Sequence, residues 1–369
     1  MLKNLIFKYM NPGGSAKDRV VLEIIENAEK EGLIVPNTDS CIFEGTSGST
    51  GISLSYIARA KGYRAHIVMP SDVADEKRQL VEKMGATVEL VKPCSIVDPN
   101  NFNRVAERKA KEYQYTKPSK LTTIPRKNSN GERRGFFMNQ FENPSNFMAH
   151  YKNTGPEIME QMREFKPLNA IVHGSGTGGT LSGISHYLKP RIKGLKIYLA
   201  DPPGSGLANK VNYNVMFSEA EREGTRRRHQ VDTIVEGVGL NRITSNFSLL
   251  FHNSGNESKK YQDFDKDRND LSDENELKYI DGAFSVSDQK SIYMSRFLMH
   301  NDGLFLGSSS ALNLVAVVEL AKQLGPGCTI LTILCDSGNR HLTKFWNDQW
   351  LLDNGFDTSV PTSLDVFLE

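Results

Sequence analysis

Apolar positions along the chain fall into two alternating patterns. Short continuous runs, such as Cys41-Ile42-Phe43, His66-Ile67-Val68-Met69-Pro70, Thr87-Val88-Glu89-Leu90-Val91, Asn169-Ala170-Ile171-Val172-His173, Lys196-Ile197-Tyr198-Leu199-Ala200 and residues 329–334, read as strands. Stretches with apolar residues three and four apart read as helices over 17–32, 52–61, 74–83, 103–113, 154–165, from the Gly178 turn to 188, 287–300 and 308–324. In the first of these, Val21, Ile24, Ile25 and Ala28 share one face, and Gly32 can end it. Residues 1–10 read as a short strand, as do 135–141, and 303–308 is strand-like. Strands alternating with helices imply an α/β fold with parallel sheets.

Two segments break the alternation. Residues 117–134 are rich in Lys, Arg, Ser and Asn, and 252–278 are almost wholly polar. Both read as surface insertions. The charged run 217–229 reads as a solvated helix. With 369 residues the chain is long enough for two α/β domains, expected over 1–150 and 151–369. Its 45 basic and 44 acidic residues leave a net charge of +1, which gives no electrostatic case for a nucleic-acid partner. No apolar run reaches the roughly twenty residues of a membrane span, and the first ten residues are too short for a secretory signal. Four cysteines without a C-x-x-C pair argue against a zinc ribbon or a disulfide framework and fit a reducing compartment.

Candidate chemistry lies in the turns. Asn11-Pro12-Gly13-Gly14-Ser15-Ala16-Lys17-Asp18-Arg19 is a tight turn into a helix, with Ser15 as a possible cap and Lys17 in the first turn. The positive end of the helix dipole favours a neutral amine there, the form that Schiff-base chemistry needs. Taken as a lone S-x-K-D, the string reads as a capped helix with a solvated lysine. Glu44-Gly45-Thr46-Ser47-Gly48-Ser49-Thr50-Gly51 offers many N–H and O–H donors at a helix start, suited to a carboxylate or phosphate. An ordinary capped connection explains that composition equally well. Gly174-Ser175-Gly176-Thr177-Gly178-Gly179-Thr180 lies between a strand and a helix, with Asp201 ending the next strand. That is the spacing of a dinucleotide-binding turn, and it keeps a nicotinamide oxidoreductase open.

The lysine string closely resembles the pyridoxal-phosphate lysine motif of the cysteine synthase and cystathionine β-synthase family. The resemblance extends in order through the 44–51 loop, Gln140-Phe141-Glu142-Asn143-Pro144, His150, Thr154-Gly155-Pro156-Glu157-Ile158, the 174–180 loop, Asp201-Pro202-Pro203-Gly204-Ser205, Glu236-Gly237-Val238-Gly239, the 303–309 string and Cys335-Asp336-Ser337-Gly338-Asn339-Arg340. It implies the tryptophan-synthase-β-like fold, fold type II, with two open α/β domains and the cofactor between them. It implies that Lys17 carries pyridoxal 5'-phosphate as an internal aldimine and later acts as general base at Cα. Gly176, Thr177, Gly178, Gly179 and Thr180 would hold the phosphate. Ser337 would face the pyridine nitrogen, with Asp336 beside it as a rival. Thr46, Ser47, Gly48, Thr50 and Gln140 would hold the substrate carboxylate.

The implied reaction is β-replacement: the acyloxy group of O-acetyl-L-serine leaves and sulfide adds, giving L-cysteine and acetate. Cystathionine β-synthase-like and serine/threonine dehydratase chemistry remain alternatives. Ser49 departs from the family's T-S-G-N-T-G, in which asparagine bonds the ring hydroxyl. The sequence starts at the lysine motif, where relatives carry a few dozen earlier residues with an I-G-N-T-P-L-like segment. A truncated, non-catalytic relative is therefore also an expectation to test. A cystathionine β-synthase's regulatory domain and haem segment have no counterpart, which favours cysteine synthase. The family implies a homodimer, and a cytoplasmic or mitochondrial, unsecreted protein.

Overall fold

The computed structural model describes the backbone of residues 5–7 and residues 10–113, 133–163, 167–218, 233–251 and 278–368. The 117–134 insertion except its last two residues, the 252–278 insertion except its last residue, most of the 217–229 run and the end of the 154–165 helix lie outside the described residues.

Two parallel sheets organise these residues. Strands β1 (Leu5–Phe7), β2 (Cys41–Gly45), β3 (Arg64–Pro70), β4 (Thr87–Val91), β5 (Gly135–Phe137), β6 (Ala170–Gly174), β7 (Lys196–Asp201), β8 (Gly282–Ser285) and β9 (Ile330–Leu334) divide into a four-stranded sheet, β4-β3-β2-β5, and a five-stranded sheet, β1-β9-β6-β7-β8. Every pairing between named strands is parallel. A parallel pair needs a long crossover, and helices supply it. They are α1 (Lys17–Lys30), α2 (Ser49–Ala60), α3 (Asp75–Lys83), α4 (Phe102–Tyr113), α5 (Pro144–Ala149), α6 (Gly155–Gln161) and α7 (Gly179–Leu188), with Leu207–Tyr213, Asp288–Asp302, Ser308–Leu324 and Asp348–Asp353 further on.

The continuous apolar runs are explained by burial on both faces, the usual state of a parallel sheet. All five residues of β2 and of β6 are buried. On the smaller sheet, Val20, Val21, Ile24, Ile25 and Ala28 of α1 pack with Ile42, Ile67 and Leu54. On the larger sheet, Val172, Ala200 and Leu334 meet Leu312, Val315 and Ala316 on one face. Ile171, Ile197, Leu199 and Ile333 meet Leu181, Ile184 and Leu188 on the other.

β1 is the exception to sequence order. Leu5, Ile6 and Phe7 lie opposite Thr332, Ile333 and Leu334 at the edge of the larger sheet, yet α1, only ten residues later, packs in the smaller sheet's core. The Pro-Gly-Gly turn therefore spans the two layers.

Local differences from the expectations have clear causes. The strand at 135–141 is only Gly135–Phe137, because Asn139 at φ +52° turns the chain away. A π-helical turn, His150–Thr154, precedes α6. The 303–308 run makes a single bridge, Leu306 to Ser337. Gly32, at φ +68°, follows α1 as expected.

Gly183 of α7 sits where a Cβ would lie 2.6 Å from Phe147 O and 2.7 Å from His150 Cβ. Gly183→Ala should therefore destabilise the fold by about 1–3 kcal/mol, read as a lower midpoint in urea unfolding, because backbone has to move.

Candidate active site

The turn before α1 is closed by its own aspartate. Asp18 Oδ2 accepts from Gly13 N at 2.6 Å, and Oδ1 accepts from Ser53 Oγ of α2 at 2.6 Å. Gly14 N bonds Asn11 O at 2.7 Å, and Asn11 Nδ2 donates to Ser15 O at 2.9 Å. Ser15 does not cap the helix. Ala16 holds the N-cap position in helical conformation, and Ser15 Oγ accepts only from Lys17 N, at 3.3 Å. Lys17 opens α1 with its amine held well below the ordinary lysine range. Burial is the main cause, and Cys335 and Asp336 oppose it. Facing Lys17, His173 is pushed down to about 3 by burial and by the lysine's charge. It takes a 3.0 Å bond from Asn313 Nδ2.

The loop after β2 carries Thr46, Ser47, Gly48, Ser49 and Thr50. Thr50 Oγ1 donates to Gln140 Oε1 at 2.6 Å, so two of the residues expected at the carboxylate are already joined. Gly48 N is 3.3 Å from Thr46 Oγ1. Ser49 Oγ accepts from Arg340 Nη1 at 3.1 Å, and Arg340 also lies against Gly14. A residue after β9 thus ties the lysine turn to the 46–50 loop.

The loop after β6 is walled closely. A Cβ on Gly176 would collide with Gly237 O, one on Gly178 would lie 2.6 Å from the Phe247 backbone, and one on Gly179 would collide with Asn146 Oδ1. Gly178 has φ +88°, a second reason for glycine there. Asn146 Nδ2 donates to Thr177 Oγ1 and to Gln140 O, both at 2.8 Å, and Thr244 Oγ1 donates to Thr177 O at 2.8 Å. Thr180 Oγ1 bonds His150 Nε2 at 3.1 Å. The Ser175 hydroxyl is buried with no partner. Among the described residues, no protein acceptor meets the N–H groups of Gly176, Thr177, Gly178, Gly179 or Thr180. Free donors at the N-terminus of α7, in a loop stripped of side chains, fit a phosphate.

After β9, Ser337 caps the 3-10 turn Gly338–Arg340, accepting from Asn339 N at 3.2 Å. Its own O–H hydrogen remains available. Asp336 is turned onto His341, with both carboxylate oxygens 3.2 Å from Nε2. Burial pushes its carboxyl up, but His341, Lys77 and Arg340 outweigh that and hold it at about 2.

A family model described as pyridoxal-phosphate dependent enzyme matches residues 7–336. The chain belongs to that family. Its relatives include "Cysteine synthase 2" of Schizosaccharomyces pombe, 47% identical over 97% of this chain and 80% of that protein. A Saccharomyces cerevisiae relative whose name contains the words mitochondrial cysteine synthase is 46% identical over 96% of this chain and 80% of its own length. Among solved structures, O-acetylserine dependent cystathionine beta-synthase from Helicobacter pylori aligns with a TM-score of 0.65 and 28% identity, over 92% of this chain and 87% of that one. The fold is therefore type II, as the resemblance implied, and pyridoxal phosphate is the cofactor. No described helix is long and apolar enough to cross a membrane.

Several residues at this site carried no signal in the sequence. Asn146 lies in the first turn of α5 and Thr244 caps the short helix Ser245–Ser248, and both act through partners far away in the chain; Arg340, which ends the 3-10 turn, stands in a quoted string that gives no sign of its bond to Ser49. Glu44, the fourth residue of β2, is fully buried, and neither carboxylate oxygen finds a bonding partner. Burial pushes it up to about 8, against the pull of the Gln140 and Asn139 N–H dipoles. The folded state thus keeps a proton on Glu44 that the unfolded chain loses above about pH 4.5, so stability falls as pH rises from there to about 8. Glu44→Gln removes the titration. It should raise the melting temperature relative to wild type at pH 8.5 and change it much less at pH 5.

Proposed function

We propose that this chain is a pyridoxal-phosphate-dependent cysteine synthase, replacing the acetoxy group of O-acetyl-L-serine by sulfide to give L-cysteine and acetate. The observation that carries the reading is the desolvated Lys17 amine beside the loop after β9, on a chain related at near full length to cysteine synthases. Bound pyridoxal phosphate draws electrons from the substrate's Cα, so that a proton can leave there and acetate can leave from Cβ.

The rest of the chemistry falls to the chain's own residues. Lys17, whose amine burial shifts towards the neutral form, takes the Cα proton and later returns it. The C–O bond at Cβ breaks with its electrons going to acetate, and a C–S bond forms from hydrosulfide. Gly176, Thr177, Gly178, Gly179 and Thr180 hold the cofactor phosphate on backbone N–H groups and hydroxyls. Thr46, Ser47, Gly48, Thr50 and Gln140 hold the substrate carboxylate, and the Thr50–Gln140 bond supports that grouping. Ser337 faces the pyridine nitrogen. Asp336 is occupied by His341, which favours the serine over its neighbour. A neutral hydroxyl there leaves the ring a moderate electron sink, suited to elimination and replacement. Ser49, bonded by the Arg340 guanidinium, would meet the ring oxygen where the family's asparagine does. The protein works as a homodimer, and the S. cerevisiae relative's name supports a mitochondrial address.

The test is cysteine formation by the purified holoenzyme from O-acetylserine and sulfide. Wild type should turn over, and Lys17→Ala should lose about 10²–10⁴-fold in kcat, the usual worth of a positioned acid–base group. Faster turnover of serine with homocysteine would replace this reading by cystathionine synthesis. An active Lys17→Ala would overturn the role of the lysine.

A further inference from the structure

Lys77, in the first turn of α3, is only 3% exposed, and the chemistry above does not use it. Lysine is almost never buried unless paired. Its stem runs across the 46–50 loop: a Cβ on Gly48 would lie 3.1 Å from Lys77 Cδ and 3.5 Å from Nζ. Gly48 itself has φ 178° and ψ −111°. A side chain added there would press on the lysine stem.

The ammonium forms an ion pair with Glu236. Glu236 starts a turn that packs on the other loop. Its N–H donates to Ser308 Oγ at 3.0 Å, Gly239 N donates to Ser175 O at 2.9 Å, and Gly237 O fills the space beside Gly176. One lysine thus touches the 46–50 loop with its stem and the floor of the 174–180 loop through its charge. Burial lowers its amine to about 8; Asp336 and Glu76 oppose this, while Arg340 and Lys344 add to it. His341 Nδ1 lies 3.7 Å from the same Glu236 oxygen, with Nε2 on Asp336.

We propose that Lys77 is a positioning residue that couples the two loops: it pins Gly48 and places a positive charge under the 46–50 loop, so that the site selects amino acids with a free α-carboxylate. The proposal rests on the reading of that loop as the carboxylate cradle. A cradle built from Thr46, Ser47, Gly48, Thr50 and Gln140 has only neutral donors, and the nearby Lys77 charge adds a long-range preference for an anion.

Lys77→Met keeps the stem over Gly48 and removes the charge. The holoenzyme would be titrated with L-serine and with L-serinamide, which lacks the carboxylate, following the cofactor's visible spectrum. The dissociation constant for L-serine should rise about tenfold, and that for L-serinamide should change by less than about twofold, with cofactor content unchanged. Glu236→Gln leaves the lysine charge unneutralised and should tighten L-serine binding. Equal weakening of both ligands by Lys77→Met, no weakening of either, or weaker L-serine binding in Glu236→Gln overturns the proposal. A wild-type holoenzyme that responds to L-serinamide as strongly as to L-serine overturns the carboxylate reading of the loop itself, and this inference with it.

Discussion

Lys17 has to be uncharged inside a site whose other walls must attract anions. Those two demands conflict, because a phosphate or carboxylate held close by raises a neighbouring amine, so burial has to outweigh the anions the site binds. The structure meets those anions with neutral donors. The 174–180 loop contains no basic residue and presents backbone N–H groups and hydroxyls, and the 46–50 loop does the same. The buried charges nearby are held in pairs: Lys77 with Glu236, and Asp336 against His341 with Arg340 close by. Two neighbours of the lysine are held neutral. His173 stays unprotonated, and burial with Asp336 pushes the Cys335 thiol up to about 11.

Neutral donors are weaker than charges, so geometry has to compensate. The glycines of the 174–180 loop let the Gly237 carbonyl and the Phe247 backbone approach to distances that no Cβ would tolerate. Side-chain amides and hydroxyls from far along the chain then fix the loops to one another. Asn146 links Gln140 to Thr177, and Arg340 links Ser49 to the lysine turn. The crossing of the chain from β1 in the larger sheet to α1 against the smaller one makes the lysine turn itself one of these links.

What was legible in the sequence was what is decided locally. The runs at 41–43 and 169–173 became strands because burial on both faces requires unbroken apolar character, 87–91 became an edge strand with Thr87 and Leu90 exposed, and Val21, Ile24, Ile25 and Ala28 became the inner face of α1. The glycine-rich loop at 174–180 was legible as an anion turn but not as a particular one, since a dinucleotide and a pyridoxal phosphate place the same group at a helix N-terminus. The whole ordered set of motifs separated the two. Tertiary features were not legible. Ser15 had the composition of a cap but lies outside the position that caps. The amine of Lys17 is governed by burial, which no local string reveals. Nothing in Asp75-Glu76-Lys77-Arg78 distinguishes a buried lysine from three solvated neighbours.

The claim on which the account depends is that the desolvated amine of Lys17 is the one that holds the cofactor. Borohydride reduction of the holoenzyme, followed by peptide mapping by mass spectrometry, tests it directly. The account predicts a pyridoxyl-phosphate mass increment on the peptide containing Lys17 and on no other lysine. A stoichiometric adduct on Lys77 or any other lysine, with Lys17 unmodified, would contradict it.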